Sequence, residues 1–212
     1  MAPEDLPESV IRPKNMRRAL FLHEDGNGIR PRVEALDEAR LSGGDVLVSI
    51  LYSGVNYKDA LAVTGRGKVI RGEYPFIPGI DLVGRVEESA SELYRVGDMV
   101  IATGWGLGET HWGGYSEVQR LQSARLLPLP EGLSPEGAMI AGTAGFTAML
   151  SVMALEEAGT EPSQGEIVVT GASGGVGSMA IAPWQRDRTR SWRQREARAR
   201  IITCAASALR ES

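Results

Sequence analysis

The chain has 212 residues, enough for one large or two small domains with a buried core. Hydrophobic residues make up 42% and charged residues 24%, an ordinary globular balance, and by sequence no apolar run approaches the roughly 20 residues of a membrane span. The net charge of −4 hides a split: residues 1–182 carry 15 basic and 24 acidic side chains (−9), and residues 183–212 carry 8 and 3 (+5). A single cysteine, Cys204, excludes an internal disulfide framework, and two histidines far apart, His23 and His111, argue against a Cys/His zinc site. The acidic, Pro-rich first fifteen residues are unlike a signal peptide, so a cytoplasmic location is the default.

In chain order, residues 1–15 read as a loose extension. RRALFL after Met16 reads as a first strand, Asp25-Gly-Asn-Gly28 as a hairpin turn, and 33–36 as the return strand. A strand is expected over 46–51, rich in β-branched residues. A short helix is expected over 56–63, ended by Gly65 and Gly67. Pro75, Pro78 and Gly79 punctuate a loop before a strand over 82–86. A turn at Val96-Gly-Asp98 leads into a strand over 99–102, a glycine-rich loop covers 104–114, and another strand follows over 115–119. Short strands with a turn about every ten residues describe a β-rich domain over 16–127.

After Leu127-Pro-Leu-Pro130 the texture changes. Ser134-Pro135-Glu136 supplies a cap, a proline at the first helical position and an acid in the first turn. A second, apolar helix is expected over 143–157, ended by Gly159. The stretch from Glu166, EIVVTGASGGVGSMAI, reads as strand, tight turn and helix start. Its Ala172-x-Gly174-x-x-Gly177 spacing is that of a dinucleotide-binding turn, in which small residues let backbone N–H groups and the helix N-terminus approach a pyrophosphate. Helix followed by a parallel-type strand is the grammar of an α/β nucleotide-binding domain.

Several motifs in the same order carry a resemblance: PGIDLVGRV from Pro78, Val96-Gly97-Asp98-Met99-Val100, GGYSE from Gly113, TAGFTA from Thr143, SGVNYKDAL from Ser53 and TGASGGVG from Thr170. Over residues 16–182 the chain resembles the medium-chain dehydrogenase/reductase superfamily, within it the zinc-free quinone oxidoreductase-like branch, and there the acryloyl-CoA reductases. The resemblance implies a mixed α+β and α/β architecture: a GroES-like catalytic domain over 16–127, then the start of a Rossmann cofactor domain over 128–182. It implies NADPH as cofactor, an enoyl-CoA or a quinone as small-molecule substrate, no membrane or nucleic-acid partner, and leaves a family-like homodimer open. Where zinc-using relatives carry Gly-His-Glu this chain has Gly79-Ile80-Asp81, and near their cysteine ligand it has Asn56-Tyr57. Metal-polarised chemistry is therefore not expected; hydride delivery to a conjugated C=C, with protein donors facing the resulting enolate, is.

The resemblance places Tyr57 beside the nicotinamide, as a cofactor contact or an acid, against the alternative of an amphipathic tyrosine packed at a domain edge. Asn56 would donate to the substrate carbonyl, or cap a helix as Asn and Asp do; Asp59 is read the same way, mainly as a cap. Thr143 would bond the nicotinamide amide or a phosphate, or bond back to its own helix. Ser173, Gly174, Gly175, Val176 and Gly177 would cradle the pyrophosphate. Lys58 is read as a solvated charge, Asp81 as a turn or scaffold residue, His111 as structural and His23 as surface. Met139, Met149 and Met153 are expected to fill the core.

From Pro183 the pattern departs from the family. Pro183 should kink or end the helix, and the following stretch interleaves arginine with polar residues and tryptophan, without an apolar stripe. All 26 glycines lie at or before Gly177. The expectation is a change of reading frame near residue 182, which makes a non-catalytic fragment the alternative to an active reductase; otherwise 183–212 is a genuine basic tail whose arginines (186, 188, 190, 193, 195, 198, 200) meet nucleic acid or an acidic surface. A strand at 201–203 would come late.

Overall fold

The computed structural model describes residues 17–41, 43–161, 167–186 and 202–203. The extension 1–15, Cys204 and the arginines of the tail beyond Arg186 lie outside the described residues. The chain divides into two compact units, Met1–Thr143 and Ala144–Ser212.

The first unit opens with the expected hairpin. Strand β1 (Arg18–Asp25) pairs antiparallel with β2 (Gly28–Ala35), closing at Asp25 opposite Gly28, whose φ of 110° only glycine adopts without strain. A five-stranded antiparallel sheet follows, in the order β6-β3-β4-β5-β7. Its members are β3 (Val46–Tyr52), β4 (Asp81–Ser89), β5 (Met99–Thr103), β6 (Val118–Leu121) and β7 (Leu127–Pro128). Both faces are covered, as the run of consecutive apolar residues in β3 requires. Val46 and Val48 join Leu82, Val86, Val100 and Ala102 on one face. Leu47, pointing the other way, meets Ala19, Phe21, Leu36, Ile77 and Val118.

Helix α1 (Tyr57–Thr64) stands on Asn56 as N-cap and stops at Gly65, in the left-handed conformation at φ 66°. A longer helical stretch, α2 (Pro135–Glu157), begins where the Ser134 hydroxyl accepts from the Gly137 N–H at 3.0 Å. The two helices expected over this range meet at Gly142, whose φ of 44° and ψ of −151° lie outside helical space. Ala138 and Met139 pack on Val83 of β4.

The second unit takes α2 from Ala144 onward and holds β8 (Val168–Val169), paired in parallel with β9 (Ile202–Thr203), and α3 (Gly175–Arg186). The late strand expected near 201–203 is thus β9, and parallel pairing is the arrangement that a strand–helix–strand unit needs.

Several expectations are corrected. The strand expected over 115–119 starts at Val118, because the preceding residues bond to β1 instead: the Leu20 N–H donates to the Tyr115 carbonyl at 2.8 Å and the Glu117 N–H to the Arg18 carbonyl at 2.9 Å. Pro183 does not end its helix, for α3 runs to Arg186. A helical proline forfeits its own N–H bond and crowds one carbonyl, while the bonds of its neighbours can persist. Lys58 is not merely solvated, since its ammonium lies 2.7 Å from the Glu109 carboxylate. Met139 is buried, but Met149 and Met153 are 47% and 44% exposed. By length and composition α2 also meets the criterion for a membrane span, with mean hydropathy 1.7, contrary to the first reading. Its backbone breaks at Gly142, and the pieces over 135–141 and 143–157 each fall short of about 20 residues.

Candidate functional site

Four elements of the first unit converge on one carboxylate. Asp81, the first residue of β4, is fully buried and accepts four hydrogen bonds. Its Oδ2 receives the Asn56 side-chain amide at 2.8 Å and the Thr143 N–H at 2.9 Å. Its Oδ1 receives the hydroxyls of Thr103 at 2.7 Å and Thr143 at 2.6 Å. The two hydroxyls also lie 2.8 Å apart, so two hydrogens are shared among three oxygen–oxygen contacts. A carboxylate that accepts from four donors fixes the groups around it. The register explains the meeting, since Asp81 is paired with Thr103 across β4 and β5, while the non-helical turn at Gly142 aims the Thr143 N–H inward.

A second buried carboxylate fastens α1. The Asn56 N–H donates to Asp59 Oδ2 at 2.8 Å, the return half of a capping box, and the Ile80 N–H donates to Asp59 Oδ1 at 3.1 Å. The turn before β4 is held in turn by the segment 113–115, for the Gly114 N–H donates to the Gly79 carbonyl at 2.8 Å and the Tyr115 N–H to the Pro78 carbonyl at 2.9 Å. The PGID and GGY segments, far apart in sequence, form one bonded corner.

Burial, the largest influence, raises the pKa of Asp59 above its ordinary value of 3.8, outweighing the hydrogen bonds from Asn56 and Ile80. The Tyr115 phenol is likewise pushed up, first by burial and then by the neighbouring Asp59 charge. A carboxyl whose folded pKa is raised stabilises the fold fully below its unfolded value, and that contribution is lost as pH rises through the folded pKa. As pH increases above 3.8, the stability of an Asp59→Asn variant is therefore expected to improve relative to the parent. Urea midpoints measured on both proteins across the acid range check this; a relative change in the opposite direction contradicts it.

The expected site residues fall into two groups. Asn56 and Thr143 are brought together on Asp81. The Thr143 hydroxyl reaches Asp81, a partner that neither expected reading included. Tyr57, next to Asn56, begins α1 with its ring 81% exposed. Ser173, Gly174, Gly175, Val176 and Gly177 belong to the second unit, where they turn β8 into α3. The Gly174 N–H donates to the Gly171 carbonyl at 2.9 Å, and a β-carbon at position 177 would collide with that same carbonyl. The loop closes only with glycine there, and α3 then presents its unpaired N-terminal N–H groups. That cradle fits a pyrophosphate. Sequence reasoning missed Thr103, which carried no signal of its own and acquires a role only through the β4–β5 register. His111 supports the loop through its backbone, accepting from Gly108 at 2.8 Å and donating to the Gly106 carbonyl at 3.1 Å.

Residues 42–131 match the alcohol dehydrogenase GroES-like domain. The matched segment belongs to the GroES-like domain of the medium-chain dehydrogenase/reductase superfamily. The acrylyl-CoA reductase AcuI of Ruegeria pomeroyi is 50% identical to it over 159 residues, 75% of this chain and 48% of that protein. The solved yhdH oxidoreductase of Salmonella enterica in complex with NADP superimposes with a TM-score of 0.76 at 54% identity, covering 78% of this chain and 51% of that one. The Bacillus subtilis protein yhfP with NAD bound gives 0.76 at 37% identity, over 88% of this chain and 60% of that one. The chain spans about half the length of the curated relatives it matches. Within this superfamily the GroES-like fold of the first unit is the one the sequence motifs implied.

Proposed function

We propose that this chain carries the substrate-side machinery and the first cofactor-binding turn of an NADPH-dependent, metal-independent reductase of activated C=C bonds, acting on an acryloyl-CoA-like enoyl thioester. The observation that carries the reading is the Asp81 cluster, which orients Asn56 and Thr143, with the exposed Tyr57 next to Asn56 in sequence. Similarity to an acrylyl-CoA reductase at 50% identity and to an NADP complex at 54% supports the thioester and NADPH over other choices in the superfamily. The domain division goes with it: a GroES-like catalytic domain over 16–127 and the beginning of a Rossmann domain over 128–182.

When bound, the cofactor supplies a hydride. The chain's own residues do the rest. Asp81 holds one hydrogen of the Asn56 amide, and the second is the donor assigned to the substrate carbonyl oxygen, where charge accumulates during reduction. Because Asp81 fixes the amide beforehand, little reorganisation is needed as that charge develops. Tyr57 presents a flat face to the nicotinamide, Thr143 binds on the cofactor side, and residues 173–177 offer backbone N–H groups to the pyrophosphate.

Replacing Tyr57 with alanine is expected to weaken NADPH binding roughly three- to tenfold, the worth of one aromatic contact, while leaving the melting temperature unchanged because the ring buries so little. Isothermal titration alongside a thermal melt checks both halves. A quinone reductase is the competing enzyme, favoured by the 43% identity to a Bacillus subtilis protein named as a quinone oxidoreductase. NADPH oxidation with acryloyl-CoA and with benzoquinone separates them; reduction of the quinone alone sinks the thioester reading.

A further inference from the structure

The first unit contains a cavity of about 460 Å³ that none of the roles above uses. It falls within the roughly 300–1,000 Å³ of small-molecule sites. Ala102, Leu107 and Leu126 supply an apolar floor, while Arg40, Arg120 and Arg125 face it with Glu73 as the sole acid among its lining residues, a formal charge of +3 − 1 = +2. Arg120 is paired with Glu88 at 3.0 Å. Among the described residues Arg40 and Arg125 have no carboxylate partner. The Arg40 guanidinium instead lies over the Trp112 ring, 5.0 Å from its centroid, with its N–H edge available to an anion.

The wall is completed by Trp105. Its φ of 53° makes it the one non-glycine residue in left-handed space among the described residues, and 70% of it is exposed. Gly104 and Gly106 on either side are left-handed as well, and the Arg125 guanidinium reaches the Trp105 carbonyl at 3.5 Å. Bulky residues rarely tolerate this conformation, and residues held in it cluster at active sites and ligand clamps. Thr103 lines the same cavity and donates to Asp81, so the cavity adjoins the polar cluster.

We infer that this cavity binds the phosphorylated adenosine of a coenzyme A thioester, with the purine against Trp105 and the phosphate on Arg40 and Arg125. The assignment rests on the thioester reading above and deepens it, because a simple quinone has neither the anion nor the second ring. Planar aromatics stack on indole, and guanidinium matches phosphate geometry.

Calorimetric titration of the full chain with adenosine 3′,5′-bisphosphate tests this, with the 2′,5′ isomer as the cofactor-type arm. Saturable binding of the 3′,5′ isomer is expected, weakened about tenfold or more in Trp105→Gly, a change the left-handed backbone welcomes, and in Arg125→Gln. NADPH binding should be unaffected by either substitution. No binding of the 3′,5′ isomer, or equal affinity in both variants, overturns the assignment. Preferential binding of the 2′,5′ isomer with the same sensitivity to Trp105→Gly also overturns it, and gives the cavity to the cofactor. If acryloyl-CoA is reduced but the 3′,5′ isomer does not bind, the cavity assignment fails and the reductase reading survives. If the isomer binds and acryloyl-CoA is not reduced, the reductase reading fails and the cavity remains a phosphoadenosine site.

Discussion

An Asp81→Ala variant is expected to lose about 3–5 kcal/mol of stability in the first unit, the largest effect foreseen for any single substitution here. Four donors, from Asn56, Thr103 and Thr143, converge on this one buried side chain. Removing it leaves them facing apolar surroundings, and each unsatisfied buried donor costs roughly 1–3 kcal/mol, softened by whatever water can enter. Asp81→Asn keeps the shape and one acceptor oxygen but turns an NH₂ group toward two donors, so a loss of about 2 kcal/mol is expected. Chemical denaturation followed by circular dichroism measures both. Equal stability of the alanine variant and the parent would show that the cluster is incidental. The asparagine variant separates stability from positioning: if it folds, its Asn56 amide is no longer held by an anion, and any reductase activity should fall more than its stability does.

The second large effect is expected at Gly142. A β-carbon there would lie 2.7 Å from Asp81 Oδ2, and the residue's φ of 44° is unfavourable for any L side chain. Clash and strain together predict a loss of about 3 kcal/mol for Gly142→Ala, where the same substitution inside a regular helix would be favourable by roughly 1 kcal/mol. The sign is therefore diagnostic. A stabilised Gly142→Ala protein would mean that α2 runs straight through this position and that Thr143 does not reach Asp81 as described.

Local chemistry made much of this fold legible. The Asp25-Gly-Asn-Gly28 turn, the β-branched run in β3, the Ser134-Pro135 helix start and the glycine at 65 each act through the backbone of their immediate neighbours, and each did what their chemistry implies. Asn56 and Asp59 were readable as caps for the same reason. The Asp81 cluster was not. It depends on which residue of β5 stands opposite which residue of β4, and register is a property of the assembled sheet. Thr103 could not be singled out for that reason, and Thr143 could not be assigned its partner. Lys58 illustrates the same limit, since Glu109 reaches it across a loop rather than along a helix. Met149 and Met153 look like core residues because apolar spacing reports the possibility of burial, which the described part of the second unit does not provide. The glycine loop at 173–177 is the converse case: its steric requirement is local, so the tight turn into α3 could be anticipated from spacing alone.

The claim on which everything functional depends is that this chain binds NADPH. Titrating NADPH against the purified chain while following nicotinamide fluorescence measures it directly. The account predicts a saturable signal that is weakened in Tyr57→Ala and abolished in Gly177→Val, where a side chain would collide with the Gly171 carbonyl and open the loop. A signal that never saturates, or one that Gly177→Val leaves intact, would contradict it.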